Sequence, residues 1–197
     1  MLVFWNARLV MLAVPKTGSS AYERALAPHA SMSVLDPPEL KHAPVYRYNR
    51  FFRPMFDKMD RPDMELMAVL REPISWLGSW YRYRQRSFLD GKPVSTKGLT
   101  FDDFVDAYAG GDRPAFANVG SQAKFIEPRP NGTAVSHLFR YENQAAILAF
   151  LENRIGQSIE LPRANVSAAM PLDLSPRVEA KLRRNCAADF AAWERAT

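Results

Sequence analysis

Val14-Pro15-Lys16-Thr17-Gly18-Ser19-Ser20 decides how this chain is read. Before it, residues 9–14 form a continuous apolar run, the pattern of a strand buried on both faces. After it, residues 21–26 carry the spacing of a helix. A strand, a short Gly/Ser loop and a helix together present backbone N–H groups at a helix N-terminus, where the peptide dipoles favour an anion. Gly18 permits a tight turn and close approach of a ligand. Thr17, Ser19 and Ser20 add hydroxyl donors and Lys16 adds a full charge. The plainer alternative is that Ser19 or Ser20 merely caps the helix. The loop lacks the G-x-x-x-x-G-K-[ST] order, because its lysine precedes its only glycine. It therefore suits an anion that needs no bridging metal.

A second loop has the same setting. Residues 64–70 form an apolar run apart from Glu65, and Leu70-Arg71-Glu72-Pro73 follows. Pro73 stands where a helix takes its first residue, and residues 74–88 read as that helix. Arg71 emerges at the strand end, where a guanidinium can grip a phosphate through two donors. Ser79 lies one to two turns into the helix, within reach of the same anion.

Working outward, residues 32–35 read as a short strand and residues 41–59 as a Pro-broken, basic and aromatic helical segment. Thr100 and Asp103 form a capping box that opens a helix through Tyr108. Residues 133–139 read as a strand, and residues 143–155 as an amphipathic helix ended by Gly156. Ser175 caps a last helix, with Pro176 in its first turn, running to about Trp193. Strands alternating with helices predict a three-layer α/β/α domain around a central parallel sheet, with ligands beyond the carboxyl ends of the strands. The 197 residues fit a single domain spanning residues 1–197.

Composition narrows the classes. Hydrophobic residues make up 47% and charged residues 24%, which excludes a disordered or collagen-like chain. One cysteine, Cys186, excludes an intrachain disulfide, and one cysteine with three histidines predicts no metal site. The net charge of +5 favours anionic partners, though it equally serves solubility. Residues 1–14 have no basic leader, are interrupted by Asn6 and Arg8, and are too short to span a bilayer. A cytoplasmic protein with no integral membrane segment is expected.

Taken together, the two loops resemble those of sulfotransferases that use 3′-phosphoadenylyl sulfate (PAPS). Pro15-Lys16-Thr17-Gly18-Ser19-Ser20 is similar to their 5′-phosphosulfate loop. Arg71-Glu72-Pro73, with Ser79 and Tyr81, is similar to their 3′-phosphate motif, R-D-P-x-x-R-x-x-S-x-Y. Glu72 replaces the common Asp, and Trp76 replaces the second Arg. Weaker similarities extend along the chain in the stretch from Asn118 through Gln122 to Phe125, in Leu138-Phe139-Arg140-Tyr141-Glu142, and in residues 161–167.

The resemblance implies a P-loop-like sulfotransferase fold. It also implies metal-independent, in-line transfer of a sulfuryl group from PAPS to an acceptor hydroxyl, on a carbohydrate or glycoconjugate, leaving adenosine 3′,5′-bisphosphate. Lys16 would neutralise charge on the departing 5′-phosphate, which Thr17, Gly18, Ser19 and Ser20 hold. Arg71 and Ser79 would hold the 3′-phosphate, and His42 is the candidate base. Glu39 and Asp36 are carboxylate alternatives to His42, while His29 and His137 are poorer choices. Trp76, Trp80 and Tyr83 share one helical face, as core or as a platform for adenine. Arg82, Arg84 and Arg86, with Lys41, Arg47, Arg50 and Arg53, form either a solvated basic face or an acceptor groove. No nucleic-acid partner is expected. Two rival readings remain: a nucleotide kinase with a degenerate loop, and a non-catalytic polyanion binder on the same scaffold.

Overall fold

The computed structural model describes residues 1–161, 170 and 172–197. Among the described residues the chain forms five strands, β1 (Leu2–Phe4), β2 (Leu9–Met11), β3 (Met32–Ser33), β4 (Glu65–Leu70) and β5 (Val135–Arg140). They form one open sheet in the order β3-β1-β2-β4-β5. β2, β4 and β5 run parallel, with Val10 opposite Leu66 and Val69 opposite Phe139.

The sheet is mixed, where an all-parallel sheet was expected. β1 and β2 pair antiparallel, Leu2 opposite Met11, and β3 adds antiparallel to the outer side of β1. Only residues 5–8 connect β1 to β2, and a connection this short can join antiparallel neighbours but not parallel ones. The ladder of β2 stops at Met11, and Leu12 adds one more rung by donating its N–H to the Met67 carbonyl at 2.9 Å.

Strand alternation sends side chains to two faces. Val3, Val10, Leu12, Leu66, Ala68 and Leu70 pack against Val45, Tyr48, Phe56, Phe125 and Ile126. Leu2, Phe4, Leu9, Met11, Met67 and Val69 pack against Tyr22, Leu26, Ile147 and Leu151. The first face is covered by a helix assembled from α3 (Val45–Arg47), a π-turn (Tyr48–Phe52) and α4 (Arg53–Lys58), which follows the short α2 (Pro38–Lys41). The second is covered by α1 (Ser19–Leu26) and α8 (Gln144–Ile155). Burial on both sides explains why β2 and β4 lack polar alternation, whereas β5, at the edge of the sheet, is only partly buried and carries Ser136, His137 and Arg140.

A third, helical core flanks the sheet. It joins α5 (Pro73–Arg84), α6 (Phe101–Tyr108), α9 (Pro176–Asn185) and α10 (Ala187–Glu194) around Leu77, Phe104, Tyr108, Val178 and Leu182. The Thr100 capping box is present, with Asp103 N–H donating to Thr100 Oγ1 at 3.1 Å and Thr100 N–H to Asp103 Oδ2 at 3.0 Å. Helix α5 ends at Arg84, short of the predicted residue 88. The predicted last helix breaks at Cys186. The bend delivers Asp189 to the Ser121 hydroxyl and the Ala123 N–H, both at 2.7 Å. That carboxylate therefore pins α7 (Gln122–Phe125). No helix among the described residues is long and apolar enough to cross a membrane.

Phe104 is fully buried at the centre of the helical core. Its replacement by Ala should cost about 3–5 kcal/mol of unfolding free energy. Urea denaturation followed by circular dichroism checks this.

Candidate functional site

The three parallel strands β2, β4 and β5 end at one edge, and each delivers a loop there. The loop after β2 holds Lys16 at φ 67° and Gly18 at φ 76°, which leaves successive N–H groups on one concave side. Among the described residues no acceptor takes the N–H groups of Lys16, Thr17, Gly18, Ser19 or Ser20. The Thr17 hydroxyl was expected to face a ligand. It is buried and donates to the Val14 carbonyl at 2.9 Å, so its proton closes the loop instead.

The loop after β4 is braced from several directions. Buried Gln122 takes the Arg71 N–H on Oε1 at 2.9 Å and donates Nε2 to the Arg71 carbonyl at 2.8 Å, as a neighbouring strand would. Glu72 accepts the Ser75 N–H at 2.7 Å and so caps α5. The Glu72 N–H in turn donates to Glu142 at 2.9 Å. The Arg71 guanidinium donates Nε–H to Ser75 Oγ at 2.9 Å, so Ser75 rather than Ser79 is its immediate partner. Residues 75, 79 and 82 recur at helical spacing along one face of α5, which starts two residues after Arg71. Burial, and then the charge of Arg71, pull the Arg82 pKa down. The Arg71 and Arg82 charges are thus near enough to oppose one another, with the Ser75 hydroxyl on Arg71.

Tyr141, at the end of β5, joins the two loops. A Cβ on Gly18 would meet the Tyr141 ring at 3.1 Å, so only glycine lets the loop approach this closely. The Arg71 guanidinium lies 4.7 Å from the centre of the same ring. A second link is the Trp76 indole N–H, which donates to the Pro15 carbonyl at 2.8 Å. The tryptophan that departs from the resembled motif therefore ties α5 to the first loop. Neither Tyr141, Ser75 nor Gln122 stood among the site residues expected from sequence, and Arg82 was expected in a basic face or acceptor groove rather than beside Arg71. The Leu138–Glu142 stretch and the four-residue spacing of Arg71, Ser75 and Ser79 were the available signals.

Lys16 takes an unexpected direction. Its ammonium sits 3.2 Å from the centre of the Tyr83 ring and 4.9 Å from that of Trp80. Burial, with Arg86 and then Arg84 nearby, pushes its pKa down to about 7. Trp76 belongs to the core, whereas Trp80 and Tyr83 form this cation box.

His42 is half-buried at the end of α2, with Nδ1 2.7 Å from the Ala13 carbonyl. A carbonyl only accepts, so Nδ1 carries the proton and Nε2 keeps its lone pair. Burial lowers the His42 pKa, partly offset by the bond to Ala13. The neutral, Nε2-basic imidazole is therefore the form present near neutral pH.

Four of the seven cations expected in a groove are engaged elsewhere. Arg84 is buried and donates to the carbonyls of Ala115, Phe116 and Asn118. Lys41 pairs with Glu23 at 2.8 Å, Arg47 donates to the Glu39 carbonyl at 2.8 Å and Arg53 pairs with Asp57 at 3.7 Å. A cleft of about 730 Å³ borders the first loop at Val14 and Pro15, and is lined also by Trp76, Tyr46, Lys124 and Asp189. Most of the 161–167 similarity lies outside the described residues. Compared with protein-family models, with curated proteins and with solved structures, the chain matches none of them.

Two outcomes follow from this geometry. Gly18→Ala should cost about 1–3 kcal/mol, because it strains a positive φ and pushes on the Tyr141 ring; chemical denaturation reads it. For Lys16, the folded pKa of about 7 lies below the ordinary 10.5. Between those values the unfolded chain holds a proton that the folded chain has released, so stability rises with pH across that window. The cost of burying the charge is present in full below pH 7. Denaturation curves against pH should show this slope in the native chain and a flatter one in Lys16→Met.

Proposed function

We propose that this chain is a sulfotransferase on a P-loop-like scaffold, moving a sulfuryl group from PAPS to a hydroxyl of a carbohydrate-bearing acceptor. The observation that carries the reading is the Tyr141 ring, which lies close to both Gly18 and the Arg71 guanidinium and so brings two anion-seeking loops to one aromatic side chain. A nucleotide with a phosphate at each end of its ribose matches two such loops. In this reading the N–H groups of residues 16–20 hold the 5′-phosphosulfate. Arg71, Ser75, Ser79 and Arg82 hold the 3′-phosphate.

The acceptor lies in the cleft beside Pro15 and Trp76. Its oxygen attacks sulfur in line, the bond from sulfur to the bridging oxygen breaks, and the electron pair stays on the 5′-phosphate. The acceptor proton passes to Nε2 of His42, which Ala13 keeps in the receptive tautomer. Lys16 leaves its aromatic box for the growing negative charge. The anion restores the preference for the protonated ammonium that burial had weakened.

Calorimetry with adenosine 3′,5′-bisphosphate, AMP and ADP tests the assignment. The account expects the bisphosphate to bind most tightly. Arg71→Ala should weaken it by about 10- to 100-fold, the scale of lost charge-assisted hydrogen bonds, while changing AMP affinity little. Equal affinity for all three nucleotides contradicts the 3′-phosphate site. Preference for ATP with Mg²⁺ would favour a kinase instead.

A further inference from the structure

The helix running through α3, the π-turn and α4 is apolar on two sides. Its inner side sends Val45, Tyr48, Phe52 and Phe56 into the sheet core. Its outer side carries Tyr46, Phe51, Met55 and Met59, exposed to 45%, 53%, 39% and 59%. The wider π-turn keeps Tyr46 in line with Phe51, Met55 and Met59, which otherwise recur every four residues. A surface helix ordinarily turns a polar face outward. Four large apolar side chains fall on one exposed row, where a soluble surface ordinarily scatters them singly.

Cations outnumber acids around this row. Arg50 and Lys58 stand on the exposed side and Arg47 flanks it, with its guanidinium 5.6 Å from the Tyr46 ring. Of the nearby acids, Asp57 is turned to Arg53, and Asp60 lies beyond the end of α4. Apolar side chains bordered by cations match a lipid surface, where acyl chains lie beneath anionic headgroups. A second copy of the chain would instead bring like charges together along the row.

We propose that this outer face docks the protein on anionic membranes, with Phe51, Met55 and Met59 entering the headgroup boundary and Arg50 and Lys58 contacting lipid phosphates. Tyr46 also lines the cleft beside the first loop, so docking would place the cleft mouth next to the membrane. This inference rests on exposure and charge, and stands apart from the nucleotide reading.

Vesicle flotation tests it, using pure phosphatidylcholine and phosphatidylcholine with about 30% phosphatidylserine. The expected result is recovery with the anionic vesicles only, weakened by added salt. Phe51→Asp with Met55→Asp, and separately Arg50→Glu with Lys58→Glu, should each reduce recovery at least about tenfold. These side chains are exposed, so unchanged circular dichroism and thermal midpoint verify folding. No recovery with anionic vesicles, equal recovery with neutral ones, or recovery indifferent to both pairs of substitutions would overturn the proposal. So would a dimer in sedimentation velocity that Phe51→Asp with Met55→Asp dissolves without any vesicle binding.

Discussion

The hydrogen bond from the Trp76 indole to the Pro15 carbonyl is the contact on which the geometry of the strand edge depends. It joins a helix that begins after β4 to a loop that begins after β2. Its donor is buried, so losing the acceptor would leave an N–H without a partner at a cost of about 1–3 kcal/mol. The bond therefore fixes the loop relative to α5, and with it the separation between the N–H groups of residues 16–20 and the Arg71 guanidinium. Gln122 and Tyr141 complete the frame, one splinting the backbone of Arg71 and the other lying close to both loops.

Local chemistry made much of this legible in the sequence. The strands after residues 9 and 64 and before residue 140, the Thr100 box, the Ser175 cap, the helix near residues 143–155 and its Gly156 stop all follow from short-range patterns, and each lies close to its expected place. The β1 strand did not. An apolar stretch at residues 1–14 has no periodicity that separates one long strand from two strands and a four-residue turn. The break at Cys186 was also hidden, because its purpose is tertiary: it brings Asp189 under Ser121 and Ala123.

The candidate site divides along the same line. Arg71, Gly18 and the loop N–H groups could be read from strand-loop-helix junctions. The inward turn of the Thr17 hydroxyl, the choice of Ser75 over Ser79 and the parking of Lys16 on Tyr83 depend on packing between elements distant in sequence. Positive charge is gathered in two places, Arg71 with Arg82 and Lys16 with Arg84 and Arg86. Such like-charge crowding weakens the folded state until an anion relieves it. Arg84 shows that a cation in this region can serve the fold alone, since three backbone carbonyls take its guanidinium.

A crystal structure with adenosine 3′,5′-bisphosphate measures the central claim most directly. The account requires the 5′-phosphate within hydrogen-bond distance of the N–H groups of Gly18, Ser19 and Ser20, the 3′-phosphate on Arg71, and the Lys16 ammonium moved off the Tyr83 ring. Both phosphates on one loop, or a nucleotide bound away from Tyr141, would contradict it.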